Sequence, residues 1–483
     1  MNPATASDAD VLASPGLYDP GFLDDLNKAL SAGSSIDNPG VSAGEGFPLR
    51  VESLDSTLYN VTYSMEDIKF WKSLQKDKAY NTVEEFNQLQ SYGSGNAIWM
   101  EESGLPSEDD STYARKYTKI KFMGTVRRVS MVMSMLRTAH GDAVARETVN
   151  GTMFLMRQVE NALFAGDENL IDLQFDGLEK LLVSAWGGTV EDDGMLSGYG
   201  DENVIDLRGA PMSEDVISDL AEILVREPNY GAPNKLWSPT GPMKDLSKIM
   251  YPKERVSLPA PQNGTAGVVV NKIATPFGAI DLEPSIFIPG SDKPVDAGVG
   301  KVAERPAAPT ITAVASPVFG GSFSTFWGAL DAGTYYYKVV AVNRNGKSTP
   351  VTSSSIAVSA GDEVNLTVQD NSGNTAYYEV FRTDKDGATT TARSILKVKR
   401  TASLQVLTDV NRFLPGTSKA YMLTHNPEVL KFLQLAPFTK MGLAQIDTSI
   451  RWLQCIFGAL QIMAPRKCGM IINIGKLETG AYA

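Results

Sequence analysis

The sequence predicts an α+β protein with a separate all-β region inserted late in the chain. Three observations predict it. Apolar residues recur at three- and four-residue spacing over 144–163, which marks one long helix. Runs that alternate at period two lie on both sides of that helix. From about 306 to 417 only short alternating runs occur, parted by Asn-Gly, Asp-Gly and Ser-Gly turns.

The bulk numbers agree. A chain of 483 residues exceeds one ordinary core, so two or three domains of roughly 100 to 200 residues are expected. Hydrophobic content of 43% with 21% charged residues is globular, and no apolar run is long enough to span a membrane. The N-terminus, MNPATASDADVLASPG, lacks the basic and apolar parts of a secretory signal. Cys455 and Cys468 are the only cysteines, which reads as two reduced, partly buried thiols and not a disulfide framework. A net charge of −12 argues against a grip on nucleic acid over the whole surface, because such binding needs Lys and Arg against phosphates.

Taken in order, residues 1–48 are rich in Ala, Ser, Gly, Asp and Pro and read as a flexible arm with one short amphipathic piece at 20–30. A strand is expected from Leu49, and then a helix capped by Ser64, with Glu66 and Asp67 in its first turn. An extended loop follows at about 90–126. Its apex holds Gly104, Pro106, Glu108, Asp109 and Asp110, residues that resist regular structure and prefer water. KYTKIKFMGTV then alternates, with Thr118, Ile120 and Phe122 on one face and Tyr117, Lys119, Lys121 and Met123 on the other, so a long hairpin is expected.

The long helix is expected at about 139–166, with Val144, Thr148, Thr152, Leu155, Val159 and Leu163 inward and Gly166 at its end. A second is signalled by Ser213 as cap, Glu214 and Asp215 at the positive end of the dipole, and Val216, Leu220, Ile223 and Leu224 as its inner stripe. Strands follow in AGVVVNKIATPFGAIDLEPSIFI. The Pro-, Gly- and Ala-rich stretch up to about 305 reads as a linker into the β-region at 306–417, a small β-sandwich. Residues 418–483 are apolar enough to return to the main core.

Reactive chemistry is sparse. Of the two histidines, His140 sits near the start of the long helix with only Asp142 close by, and His425 reads as a turn residue before Asn426-Pro427. GxSxG and Walker patterns are absent, and GSGNAI has Ile98 where a dinucleotide fingerprint needs glycine. A cation site from Glu191, Asp192 and Asp193 lacks EF-hand spacing, so a solvated loop is the simpler reading. The tyrosines of YYYKVV and AYYEVF pack cross-strand pairs more readily than they form a carbohydrate platform.

The order of arm, hairpin, long helix, mixed α/β region and apolar return resembles the major capsid proteins of tailed bacteriophages. The residues that carry the likeness are AIWMEESGLPSEDDSTYARKYTKIKFMGTVRRVSMVM, the helix end VENALFAGDENLIDLQFDGLEKLL with Gly177-Leu178, and DTSIRWLQCIFGALQIMAPRKCGMIINI. The resemblance covers about 45–305 and 418–477. It implies an extended loop, a spine helix and peripheral and axial domains. It implies a non-enzymatic shell subunit without cofactor or metal, a virion protein assembled in the host cytoplasm. Its partners would be copies of itself in hexamers and pentamers, then scaffolding, portal and decoration proteins, and packaged DNA met without sequence recognition, with no membrane contact.

The β-region resembles immunoglobulin-like and fibronectin type III modules through GTYYYKVVAVNRNGKSTP and YYEVFRT, although the YYKVVAVN element stands earlier than is usual. Such a module is expected to project outward. The loop-tip acids Glu101, Glu102, Glu108, Asp109 and Asp110 are the candidate contact with a neighbouring subunit, where charge sets register more than strength. A tail or baseplate protein with an adhesin-like sandwich, and a carbohydrate-active hydrolase, are the alternatives.

Overall fold

The computed structural model describes residues 62–93, 99–105, 108–136, 138, 141–185, 189–190, 196–197, 203–227, 229–254, 270–290, 295, 298–317 and 325–477. The expected N-terminal arm, most of the strand after Leu49, His140 and the 191–193 acids lie outside them. The chain divides into two compact units, Met1–Val61 with Met135–Ala143, and Thr62–Ser134 with Val144–Ala483.

The helix expected after Ser64 is broken in two. The Ser64 N–H and hydroxyl donate to the Asp67 carboxylate at 2.7 and 3.1 Å, which closes a single 3-10 turn at Met65–Asp67. A new short helix, α1 (Phe70–Ser73), then starts because Glu160 accepts the Phe70 and Trp71 N–H groups at 2.8 and 2.9 Å. A carboxylate from elsewhere in the fold supplies what a local cap would have supplied. After β1 (Lys76–Lys78), β2 (Val83–Ser91) and β3 (Thr112–Lys119) pair antiparallel as a two-stranded ribbon.

The strand read through 117–126 is in fact two. Ile120 is buried with Ala79 and Leu433, and its N–H donates to the Thr82 carbonyl at 2.8 Å, so β3 ends there and β4 (Lys121–Ser130) enters another sheet. A short helix, α2 (Met131–Met135), follows, and then the spine helix α3 (Ala143–Ala165). Leu155, Val159 and Leu163 are buried as the spacing requires. Thr148 and Thr152 are only partly buried and bond back to the carbonyls of Val144 and Thr148, while Met156, Glu160, Ala162 and Phe164 complete the inner face. At its end Gly177 donates to the Gly166 carbonyl at 2.8 Å, and a Cβ on Gly177 would meet the Ala162 carbonyl at 2.5 Å, so only glycine fits this backbone crossing.

Next come α4 (Leu178–Ala185), the ribbon β5 (Thr189–Val190) with β6 (Leu196–Ser197), and β7 (Val204–Asp206). The second expected helix is α5 (Glu214–Val225), with Ser213 accepting from the Val216 N–H. Its buried side is Ile217, Leu220, Ala221 and Leu224, so the stripe is turned slightly from the one expected. β8 (Lys235–Ser238), α6 (Thr240–Glu254), β9 (Lys272–Thr275) and β10 (Gly278–Pro284) complete this part.

Between 306 and 417 lie β11 (Thr310–Pro317), β12 (Gly333–Tyr335), β13 (Tyr337–Asn343), β14 (Gly346–Lys347), β15 (Val351–Thr352), β16 (Ile356–Val358), β17 (Asp362–Gln369), β18 (Tyr377–Arg382), β19 (Arg393–Lys399) and β20 (Leu404–Asp409). One sheet runs β11-β17-β20 and another β14-β13-β18-β19, with β15 also on β13. Tyr337, Val339, Ala341, Tyr378 and Val380 from one sheet and Val364, Leu366, Val368 and Leu407 from the other share one apolar cluster. The Asn-Gly turn forms because the Asn343 side chain accepts the Asn345 and Gly346 N–H groups at 2.8 and 3.0 Å.

The chain then adds β21 (Ser418–Leu423), β22 (Leu430–Gly442), β23 (Ser449–Ile462) and β24 (Gly469–Ile474). β22 and β23 join β1 and β4 in a four-stranded sheet, β1-β22-β23-β4, and β21 and β24 join a six-stranded sheet, β7-β24-β21-β8-β10-β9. The main core joins α1, the spine helix and both sheets through Phe70, Leu163, Phe164, Trp237, Tyr421, Phe432 and Ile456. A second core lies between the six-stranded sheet and α5 with α6.

Candidate assembly interface

The β2–β3 ribbon places its two faces differently. Register pairs Val83 with Lys119, Glu85 with Tyr117, Asn87 with Arg115 and Leu89 with Tyr113, and these eight residues form one exposed face, Tyr113 being 70% exposed. The other face is held to the body. Gln88 donates from that face to the Met463 carbonyl, and at the ribbon's root Lys119, the last residue of the exposed row, and Lys121 reach Glu168, in the turn after the spine helix, at 3.1 and 3.0 Å. Those two ammonium groups draw the Glu168 carboxyl below its ordinary value against some burial, and the same contact raises Lys119. Glu84 accepts the Tyr80 and Asn81 N–H groups, closing the turn into β2 and lowering its own pKa.

All five acids singled out in the sequence, Glu101, Glu102, Glu108, Asp109 and Asp110, are exposed in the loop joining β2 to β3, beside the exposed Trp99 and Leu105. Gly93 backs onto Asp109, whose carboxylate lies 2.7 Å from where a Gly93 Cβ would stand. The ribbon thus carries cations on its stem and anions at its far end.

A second surface was missed by the sequence reading. In the four-stranded sheet Phe122 pairs with Phe457, Val126 with Leu453 and Arg128 with Arg451, so these side chains share a face. The spine helix covers the opposite face. There Gln454 donates to the Thr148 carbonyl at 2.7 Å, Lys440 reaches the Thr148 hydroxyl at 2.9 Å, and Arg127 pairs with Glu147 at 3.6 Å. On the open face Phe122 and Val126 are 56% and 57% exposed, and the Phe122 ring stands edge-on to Phe457 at 5.0 Å. Asp447 sits at the rim with Arg128 at 3.6 Å and with Arg451, and the Ser449 hydroxyl that donates to its carboxylate, followed by these two cations, holds its carboxyl below the ordinary range. The available signal was that both faces of 120–126 carry apolar side chains, which a half-solvated strand does not need.

Other sequence candidates resolve into structure. The His425 imidazole Nε2 lies 3.1 Å from the Ser73 hydroxyl, and the His425 backbone N–H donates to the Asn234 carboxamide oxygen at 2.7 Å. Burial and the Lys235 charge hold its imidazole below the ordinary value. Cys455 and Cys468 are both buried and unpaired with each other, and burial pushes the Cys468 thiol up to about 12. Among the described residues no group of three or more His, Cys, Asp or Glu is placed to hold a metal ion, and no helix is long and apolar enough to cross a membrane.

No protein-family model matches the chain. The major capsid protein of Staphylococcus phage K is 24% identical over 467 residues, which cover 94% of this chain and 95% of that protein. The major capsid protein of Staphylococcus phage S25-3 matches to the same extent, 24% over 467 residues with 94% and 95% covered. The chain is a homologue of phage major capsid proteins. Similarity to solved structures includes the capsid of a native GTA particle, at TM-score 0.44 and 8% identity over 90% of this chain and 99% of that one. It also includes a Mycobacterium phage Bobi chain, at TM-score 0.43 and 10% identity over 90% and 98%. The two Staphylococcus relatives, aligned nearly end to end, carry the assignment. Against a capsid homologue the hydrolase and tail-protein alternatives have no support.

Proposed function

We infer that this protein is the structural subunit of a phage head, and that copies of it assemble into an icosahedral shell around the genome. The observation that carries the reading is the near end-to-end match to named major capsid proteins. The geometry supports it. A shell is held by repeated contacts across symmetric interfaces, so its subunit needs extended elements and uncovered apolar faces more than reactive groups. Here a ribbon leaves the body with one face and its loop exposed, and a sheet leaves Phe122 and Val126 open.

In this reading the ribbon of one copy lies over the open sheet face of the next. Tyr113, Tyr117 and Leu89 contribute apolar area, and the five loop acids set register against a basic rim. The protein works without catalysis and without a cofactor, in the virion. Scaffolding, portal and decoration proteins meet the shell, and DNA is met on its inner face without sequence recognition. Assembly takes place in the host cytoplasm. Residues 1–48 form the arm, 49–305 with 418–483 the shell-forming body, and 306–417 an immunoglobulin-like module.

Electron microscopy of the purified protein tests this: hexamers, sheets or hollow shells are expected, and monodisperse monomers under every assembly condition would refute it. Replacing Glu101, Glu102, Glu108, Asp109 and Asp110 together by Lys is expected to abolish shells while the unfolding midpoint stays put. Normal shells from that variant would remove the charge-register role.

A further inference from the structure

The region 306–417 reads from sequence as a module tethered by linkers, and such a module buries one face of each sheet and solvates the other. β13 and β18 do not follow that rule. All six residues of β18 are buried, and four consecutive residues of β13, Val339 to Val342, are buried as well. Tyr378 and Val380 face the core shared by the two sheets. Val340, Val342, Tyr377 and Phe381, on the opposite face, form another apolar cluster with Ala392, and besides Ala376 of the region itself Leu170, Ile171 and Val295 pack on it from outside the region.

Leu170 and Ile171 belong to the turn after the spine helix, and that turn also holds the root of the ribbon. Glu168 takes Lys119 and Lys121, and Lys121 donates to the Asp172 carbonyl at 2.6 Å. Asp167 pairs with Lys180 of α4 at 3.8 Å.

The exit of the region is gripped from both sides. Arg382, inside it, donates to Asp409 at 2.6 Å, to the Asn411 side chain at 2.7 Å and to the Phe413 carbonyl at 3.2 Å. From the six-stranded sheet, Asn473 donates to the Arg412 carbonyl at 2.9 Å and accepts the Leu414 N–H at 3.0 Å. Arg208, just past β7, donates to the carbonyls of Asn411 and Phe326 at 2.7 and 3.1 Å and pairs with Asp331 at 3.3 Å. The entry is strapped too. Val299 and Lys347 exchange both backbone hydrogen bonds, at 2.8 and 3.1 Å, across Gly300 and Gly346, where a Cβ would strike backbone at 2.3 and 2.1 Å.

We propose that residues 306–417 are a brace: docked on the 167–172 turn at one side and on β7 and β24 at the other, they fix the root of the β2–β3 ribbon relative to the six-stranded sheet. The brace itself stands on contacts within one subunit. Its value for assembly rests on the shell reading above.

Native-state hydrogen exchange on the unassembled wild-type chain, followed against denaturant, tests it. The amides of Val340, Val342 and Phe381 are expected to open in one cooperative unit with those of Ile471 and Ile472. Separate opening of the 306–417 amides, with its own free energy and denaturant slope, would overturn the proposal. The paired variant Leu170→Ser/Ile171→Ser is expected to speed exchange in β2 and β3 at least tenfold while the central amides of the spine helix stay protected. Unchanged ribbon exchange would overturn it equally. If that variant does not fold, Ile171→Ala read in the same way decides. Absence of wild-type shells in the microscope would strike the assembly reading and leave these exchange rates unaffected.

Discussion

The β2–β3 ribbon and the β13–β18 pair are both antiparallel and both rich in Tyr and Val or Thr, yet they are stabilised in opposite ways. β18 is buried along its whole length and packs on two apolar clusters. The ribbon has no core of its own, and six of the eight residues of β3 are exposed: Thr112, Tyr113, Arg115, Lys116, Tyr117 and Lys119. A two-stranded hairpin alone is marginal in water, so the ribbon owes its position to Ile120, Gln88 and the Glu168 contacts at its root. The difference teaches that strand propensity is common to both, and that the partner surface decides which is scaffold and which is left available.

The buried side should break hardest. Arg382→Met leaves Asp409 buried without its cation, for a loss of about 3–5 kcal/mol in urea unfolding. Arg382→Met combined with Asp409→Leu should recover most of that loss, and equal damage from both would show that packing, not charge pairing, was disturbed. The next effect sharpens the anchoring of α1. Glu160→Gln removes one of two carboxylate acceptors for the Phe70 and Trp71 N–H groups, at about 1–3 kcal/mol.

This second effect should depend on pH. Burial raises the Glu160 carboxyl above its ordinary value, so the folded chain holds that proton more tightly than the unfolded chain. The stability gained in this way is complete below the unfolded value and is lost as pH rises through the folded one. The variant's amide does not titrate, so the gap between the two proteins should move in favour of Glu160→Gln as pH rises through that window. A gap that stays constant would show that another group titrates. The smallest effect belongs to the exposed side. Tyr113→Ala with Tyr117→Ala should change folding stability by no more than about 0.5 kcal/mol per site while weakening shell formation, read by sedimentation. A large loss of stability would mean that the ribbon face packs within its own subunit.

Much of this was legible in the residues themselves. Ser213 marked the start of α5, and Gly166 closed the spine helix where the periodicity stopped. The acids at the far end of the ribbon were readable because Gly104, Pro106 and clustered carboxylates cannot be made into strand or core. The split at Ile120 was not readable, since alternation runs through it unbroken. Apolar residues on 120–126 hinted at the face of Phe122 and Val126, but its pairing and its openness were not readable, because the neighbours Phe457 and Leu453 come from the far end of the chain.

The amino-acid order alone therefore determined the spine helix, α5, most of the strands and where charge gathers, because these depend on contacts within a few residues, whereas the start of α1 and the break at Ile120 were set by distant groups. Only the tertiary structure decided which faces are covered: that both sides of β18 are, and that one side of β4 is not. Burial needs a second surface, and that surface is brought up by long-range pairing that no local spacing records.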